Sequence, residues 1–467
     1  MKRFYMPILI LVIFTGCFFE EKYVVELKTD KNINQLMLGE EFEIEIINLG
    51  ERNYKSVEIE YNGIRRTTEF NKIEKFEVEQ KYNKLNVYLN GKLIEKIEIK
   101  NFNKKIENLV YVYMAADNDM SAQSLLDISE IEEGTIAVKN SSVLIYLDRK
   151  DGNICNAYIL VENGKSRIIK EIEEKNSGDE ETLKKFIEFG KLNFNSTNNF
   201  IILWNHGNGW YDDGKEIEES KRAIGYDEKT EDWLNLFELE NGLKTLGKKW
   251  EMIIFDACLM NGIEIIYQLK DLSDYILGSA EEVPMLGYNY SKILPIFSIE
   301  KEIENIGKEI IDETIREYNE NKLFSTYSLI SANYINELFA EIDLLSTELT
   351  NNITKVKEME EELKRDMLTY SSIDGDYSKN TEYSDLGDFL EKIEKSIELS
   401  QVSFLKEILN KMVIYKNTTD NFSELKLENS SGLSIYLPFD EYNPEYDFAT
   451  RFGKESNWTN FIKMYQE

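Results

Sequence analysis

The sequence predicts an α/β protein, built on a parallel sheet with helices on both faces and preceded by a small all-β module. Two observations carry this prediction. After residue 105, near-continuous apolar runs, typical of strands buried on both faces, alternate with helical patterns. Before that point, short segments such as residues 41–46 alternate apolar and polar side chains with a period of two. The predicted regions are a signal peptide at 1–17, the β module at 18–104 and the α/β domain at 105–467.

Each region has its own markers. In the β module, the turn signals Asn62-Gly63 and Asn90-Gly91 separate the alternating runs, as in an antiparallel sandwich. Long helical patterns dominate 298–409, with the charged stretch 354–365 as a solvated face. The predicted strands of the α/β domain are 109–116, 143–148, 200–205, 252–257, 275–279 and a last run at 432–438, with the clearest helix between Asp179 and Gly190. In such a domain the active site is expected at the carboxyl ends of the strands.

Composition excludes several classes of function. The chain has 467 residues and a net charge of −32, which disfavours binding to the phosphate backbone of a nucleic acid. Zinc needs four ligands drawn mostly from Cys and His, and the chain has three cysteines and one histidine without ligand spacing. Three cysteines also cannot form a disulfide framework. What remains is a large acidic globular protein.

The N-terminus has the features of an export signal. Lys2 and Arg3 precede an apolar run at 4–14 that is too short to span a bilayer. The ending 14–17 resembles the bacterial lipoprotein cleavage box, in which the cysteine, here Cys17, receives the lipid. We therefore expect an exported protein anchored to the membrane through its N-terminal lipid. An ordinary secretory signal or an anchoring stretch is the alternative.

Two residues suited to acyl transfer follow neighbouring predicted strands. His206, the single histidine, lies in Asn205-His206-Gly207, and Cys258 lies in Asp256-Ala257-Cys258. A thiolate attacks a carbonyl carbon, and an imidazole can stabilise the thiolate or protonate the leaving amine. The two residues are 52 positions apart, from 206 to 258, near the spacing of about 50 found in caspases.

These segments resemble the clostripain family of cysteine peptidases. The resemblance covers roughly 105–467 and implies a caspase-like fold, with hydrolysis of peptide bonds after Arg or Lys and no cofactor required for the chemistry. It rests on residues 113–119, 177–186, 203–209, 255–260 and 279–284, with weaker matches at 385–389 and 431–436.

The resemblance also implies roles for individual residues. Cys258 would be the nucleophile and His206 the general acid/base, with the backbone N–H groups of Gly207 and Cys258 as the oxyanion hole. Asp256 lies two residues before Cys258 and would line the S1 pocket that holds a basic side chain. From the residues alone, Asp256 could equally cap a helix beginning near Leu259.

Several acidic residues at the same edge have more than one interpretation. Asp117 and Asp119 could bind calcium, or cap a helix starting near Ser121. The acidic loop 211–221 could bind calcium or attract basic substrates, although a solvated loop is the simpler interpretation. The resemblance implies maturation by cleavage after a basic residue, which makes three residues in and beside this loop candidate self-processing sites, namely Lys215, Lys221 and Arg222.

Two alternative functions remain at this stage. Glu281 could shape the substrate cleft, or it could join Glu282 and Asp256 as the carboxylates of a glycosidase. A non-catalytic surface binding protein on the same fold is the other alternative. Cys155 lies in a run at 154–161 that resembles an edge strand, has no basic neighbour and is predicted to be structural.

Overall fold

The computed structural model describes residues 6–8, 25–33, 36–49, 54–100, 103–152, 155–210, 223–297, 301–370, 383–420, 427–439 and 441–467. The chain forms two compact units. The first comprises Met1–Lys105 with Phe189–Asn195, and the second comprises Ile106–Glu188 with Ser196–Glu467. The first unit thus includes a short segment from the region that the sequence assigns to the α/β domain.

The N-terminal unit is a pair of four-stranded antiparallel sheets. Alternating side chains of both sheets, among them Phe42 and Val87, form one shared apolar core. Asn62 and Gly63 have positive φ in the turn between β4 and β5, as a two-residue hairpin requires. The strands are β1 Met6–Ile8, β2 Val25–Thr29, β3 Glu41–Asn48, β4 Ser56–Tyr61, β5 Ile64–Glu69, β6 Ile73–Glu77, β7 Tyr82–Leu89 and β8 Lys92–Lys100, in the orders β1-β2-β3-β6 and β5-β4-β7-β8.

A nine-stranded sheet forms the centre of the second unit. Its order is β12-β11-β10-β9-β13-β16-β17-β18-β21, and the pairs β9/β10, β13/β16 and β16/β17 are parallel. The strands are β9 Lys104–Ala116, β10 Ser141–Arg149, β11 Asn156–Glu162, β12 Lys165–Glu171, β13 Phe194–Trp204, β14 Ile224–Asp227, β15 Asp232–Leu234, β16 Met252–Asp256, β17 Tyr275–Gly278, β18 Thr326–Ser331, β19 Thr369–Tyr370, β20 Tyr383–Asp385, β21 Val413–Thr418 and β22 Ser434–Tyr436. Strands β14 and β15 form a hairpin, and β19-β20-β22 form a small separate sheet.

Helices cover both faces of the large sheet. Val112 of β9 contributes to a core that includes Ile131 of α1 and Ile310 of α6, whereas the next residue, Tyr113, packs near Phe186 of α2. The helices are α1 Ser121–Thr135, α2 Glu180–Asn193, α3 Leu236–Lys244, α4 Ile263–Leu269, α5 Tyr290–Ile293, α6 Ile303–Asn321, α7 Ile335–Asn351, α8 Ile353–Glu358, α9 Glu360–Asp366, α10 Leu386–Ser396, α11 Gln401–Met412, α12 Tyr446–Ala449, α13 Arg451–Glu455 and α14 Trp458–Gln466. The predicted α/β fold class is therefore confirmed.

Three details differ from the sequence prediction. The region expected to be helical contains strand β18, and β21 follows it as the last strand of the sheet. The helix expected near Leu259 begins at Ile263, because Leu259 has φ +61° and its N–H donates to the Glu281 carbonyl instead. The run after Cys155 is not an edge strand, since β12 covers β11.

The predicted signal segment is only partly described. Met6–Ile8 pairs antiparallel with β2, while Cys17 lies outside the described residues. None of the helices in the described part of the chain has the length and apolar character needed to cross a bilayer.

Candidate active site

The register of two parallel strands places His206 beside Cys258. Strands β13 and β16 pair so that Trp204 lies opposite Asp256, at the last residue of each strand. His206 and Cys258 each follow two residues later, at the same edge of the sheet. The number of residues between His206 and Cys258 therefore equals the number between the paired residues Trp204 and Asp256.

Gly207 makes the closest approach to the cysteine. A Cβ at Gly207 would lie 2.3 Å from the Cys258 carbonyl oxygen and 2.9 Å from the Cys258 nitrogen, so no other residue fits without a shift of the backbone. The Gly207 N–H also interacts with the thiol and lowers its pKa. The residue expected to contribute to the oxyanion hole therefore lies against the cysteine.

The thiol of Cys258 is enclosed by the segment that follows β17. The Val283 N–H donates to Sγ at 3.2 Å, and the thiol donates to the Val283 carbonyl at 3.7 Å. Burial raises the pKa of the Cys258 thiol to about 11, and the charges of Glu282 and Glu281 act in the same direction. The thiol is therefore neutral at pH 7 in this arrangement. Sequence reasoning missed Val283, whose contribution is a backbone group without a residue signature.

The ring of His206 is held by an aspartate. Nε2 lies 2.7 Å from Oδ1 of Asp119, and both side chains reach solvent. Asp119 follows β9, which neighbours β13, so the three groups stand at the ends of the adjacent strands β9, β13 and β16. Cys258 and His206 are both among the described residues, and no hydrogen bond joins the Cys258 sulfur to the His206 ring.

Asp117 and Asp119 do not cap the helix after β9. Helix α1 begins at Ser121 without a side-chain cap, and Asn118 Oδ1 accepts from the Met120 N–H. Asp117 is 5% exposed and lines a cavity of about 540 Å³ together with Arg149, Lys150, Cys155, Asn156, Glu174, Glu228 and Lys229. Across the residues that the structure describes, no group of three or more His, Cys, Asp or Glu side chains is arranged to hold a metal ion.

Asp256 is buried beneath the strand end. Its Oδ2 accepts from Tyr290 Oη at 2.9 Å and from the Tyr288 N–H at 3.4 Å. Gly287 has φ +57°, and a Cβ there would lie 2.9 Å from Asp256 Oδ1. Because α4 begins only at Ile263, the interpretation of Asp256 as a helix cap is wrong.

Two further carboxyl groups, those of Asp127 and Glu130, interact electrostatically with Asp256. Burial raises the pKa of Asp256 to about 6, and Glu130 adds to the shift. Burial, followed by the charge of Asp256, raises the pKa of Asp127 to about 8. Asp127 accepts from Trp204 Nε1 at 2.7 Å, and the pKa of Glu130 is raised mainly by burial. This acidic cluster would be stabilised by a cation. Sequence reasoning missed both residues, because acidic side chains on a helix usually face solvent.

Glu281 is buried and accepts hydrogen bonds through both its backbone carbonyl and its side chain. It is 2% exposed, its carbonyl accepts from the Leu259 N–H at 3.2 Å, and its Oε1 accepts from the Glu282 N–H at 2.8 Å. Its main contribution is to hold the turn after Cys258. The acidic loop and the candidate processing residues, Lys215, Lys221 and Arg222, lie outside the described residues.

An α/β sheet with parallel central strands and with a cysteine and a histidine at adjacent strand ends is the arrangement of caspase-like cysteine peptidases. The chain belongs to the clostripain family, whose model matches residues 112–465. The resemblance noted in the sequence is thereby confirmed, and the protein is a cysteine-type endopeptidase, with peptides or proteins as substrates and no cofactor needed for catalysis. The glycosidase and the non-catalytic binding protein are set aside.

Relatives and solved structures agree with this assignment. The chain is 26% identical over 436 residues to clostripain from Hathewaya histolytica, covering 77% of this chain and 79% of that one. Its fold is similar to a secreted C11 cysteine protease from Bacteroides thetaiotaomicron in complex with an irreversible peptide inhibitor, at TM-score 0.58 and 20% identity, covering 76% and 99% of the two chains. An inactive zymogen C11 protease from Parabacteroides distasonis matches at TM-score 0.56 and 22% identity, covering 76% and 98%.

Proposed function

We propose that this protein is an exported, lipid-anchored endopeptidase that hydrolyses peptide bonds after Arg or Lys with Cys258 and His206. The observation that supports it best is the β13/β16 register, which brings both residues out at the same edge. The Bacteroides thetaiotaomicron protein of similar fold is described as secreted, which agrees with export.

In the proposed reaction, Cys258 attacks the carbonyl carbon of the scissile bond. The thiol is neutral at pH 7, because burial raises its pKa to about 11, so a base must take its proton as the bond forms. His206 accepts that proton and returns it to the leaving amine. The N–H groups of Gly207 and Cys258 stabilise the negative oxygen, and water, deprotonated by His206, then releases the acyl group.

Asp119 orients the general base. When it accepts the Nε2 proton of His206, Nδ1 is left to exchange protons with the thiol and the leaving amine. Asp119 would thus have the role of the aspartate in a Ser-His-Asp triad, which fixes the tautomer of the imidazole. Calcium is not needed for these steps.

The S1 pocket is assigned to Asp256 and the acids around it. A basic P1 side chain would gain a charged hydrogen bond to Asp256 and offset the repulsion from Glu130, whose charge raises the pKa of Asp256. Glu281 borders the cleft through the turn that it holds.

Cleavage of a P1 series of peptide amides tests this specificity. We expect kcat/KM for Arg and Lys to exceed that for Gln, Leu or Asp by about 10²-fold or more, since a buried charge pair has no neutral substitute. Release of the fluorescent amine gives the rates with fully processed protein. Equal rates across the series would refute the P1 assignment.

The lipid anchor has a separate test. Full-length protein expressed in a bacterial host with an alkyne fatty acid should carry the label in the membrane fraction, because an acyl chain adds hydrophobic binding energy. Cys17→Ser should lose the label and leave that fraction, whereas Cys155→Ser should keep both. Unchanged labelling of Cys17→Ser would contradict the anchor.

A further inference from the structure

The loop that carries His206 is held by a residue from late in the chain. The hydroxyl of Tyr383 donates to the carbonyl oxygen of Asn208 at 2.7 Å. Gly209, the next residue, has φ +64°, and a Cβ there would lie 2.4 Å from the Tyr383 hydroxyl. The Tyr383 side chain therefore packs directly against the loop, two and three residues after His206.

Tyr383 is itself firmly placed. It is 3% exposed and lies in β20, opposite Tyr370 of β19 and Tyr436 of β22. Trp210, four residues after His206, makes an edge-to-face contact with Tyr436, with ring centroids 4.6 Å apart. The small sheet thus contacts the loop at two points.

The same small sheet also contacts the segment that follows Cys258. The Ser434 N–H donates to the Asn261 carbonyl at 3.0 Å, three residues after Cys258. The Tyr436 N–H donates to Oε1 of Glu264 in α4 at 2.9 Å. One rigid element therefore contacts both segments that carry the reacting groups.

We propose that Tyr383 is a positioning residue for catalysis. Its hydroxyl fixes the Asn208 carbonyl, and through it the Gly207 N–H and the His206 ring, relative to the Cys258 sulfur. The contact matters because the backbone between Gly207 and Cys258 leaves no room for adjustment. This proposal rests on the proposed roles of His206 and Gly207.

Tyr383→Phe tests the hydroxyl alone, since the ring remains against Gly209. We expect kcat to fall about tenfold with KM changed less than about twofold, because a misplaced donor weakens transition-state stabilisation more than substrate binding. The pH profile of Cys258 alkylation by iodoacetamide should also move to higher pH. The Gly207 N–H lowers the thiol pKa, and a displaced loop loses that effect.

Two matched variants keep the test decisive. Tyr370→Phe removes a buried hydroxyl of the neighbouring strand that bonds to Asp385 and Ser430, so it should cost similar stability without moving the profile. Gly209→Ala disturbs the same contact from the loop side and should shift the profile in the direction of Tyr383→Phe.

Parallel losses of activity and melting temperature in both Phe variants would reduce Tyr383 to a structural role. An unshifted alkylation profile in Tyr383→Phe would overturn the proposal. Alkylation is measured without substrate, with Cys155 as internal reference, so this outcome is distinct from a failure of the proposed peptidase activity.

Discussion

Replacing Cys258 with alanine is expected to lower kcat/KM for a peptide amide with Arg at P1 by about 10⁴-fold or more. The thiol is the sulfur enclosed by Val283 and Gly207 at the edge of the sheet, and alanine keeps its Cβ while removing the only atom that can bond to the acyl carbon. Steady-state release of a fluorescent amine measures the loss. Unfolding curves should be nearly unchanged, since only one sulfur atom is removed.

Two variants serve as controls for this result. Cys155→Ala removes the other described free cysteine and should retain full activity. Asp119→Asn should give an intermediate loss of about 10²-fold, because the amide can still contact the ring but does not favour one tautomer. Activity that survives in Cys258→Ala would refute the nucleophile assignment.

Asp256→Asn is expected to remove the preference for basic P1 side chains. Losing one partner of a buried charge pair costs about 2–5 kcal/mol, which corresponds to roughly 30- to 4000-fold in kcat/KM for Arg substrates. Substrates with Gln at P1 should change little. The asparagine side chain can still accept from Tyr290 and the Tyr288 N–H, so the fold should be retained.

The pH dependence of P1 selectivity is a second test of the role of Asp256. Burial raises the pKa of Asp256 to about 6, so the carboxylate loses its charge as the pH falls through that value. The ratio of Arg to Gln cleavage should therefore rise with pH across this range in the wild type and stay flat in Asp256→Asn. A uniform loss for every P1 residue would indicate a structural role instead.

Asp127→Asn is the matched control for this pair of measurements. Burial raises the pKa of Asp127 to about 8, so the group is mostly neutral at pH 7 and its replacement removes little charge there. We expect P1 selectivity to change much less than in Asp256→Asn.

The placement of His206 and Cys258 at one edge of the sheet could be predicted, because buried parallel strands have a strong sequence signature. The runs that became β13 and β16 are apolar almost throughout, and in a parallel pair their carboxyl ends must lie together. The hydrogen bond between His206 and Asp119 could not be predicted. It joins residues 87 positions apart, and among 87 acidic residues one aspartate carries little information.

The errors have local causes. Strand β18 is only six residues long and lies between two long helices, so the helical pattern of its neighbours determines the prediction for the whole region. The turn after Cys258 resembles a helix start in sequence, but the N–H groups of Leu259 and Asn261 bond to Glu281 and Ser279. Such backbone contacts between distant segments override local preference.

The small sheet β19-β20-β22 has a consequence for biosynthesis. Its strands come late in the chain, yet they contact the loops that carry His206 and Cys258. A ribosome releases those two loops long before it reaches Ser434. In a nascent chain, His206 and Cys258 therefore emerge well before the strands that contact their loops, so we expect the two side chains to be positioned only when synthesis is nearly finished.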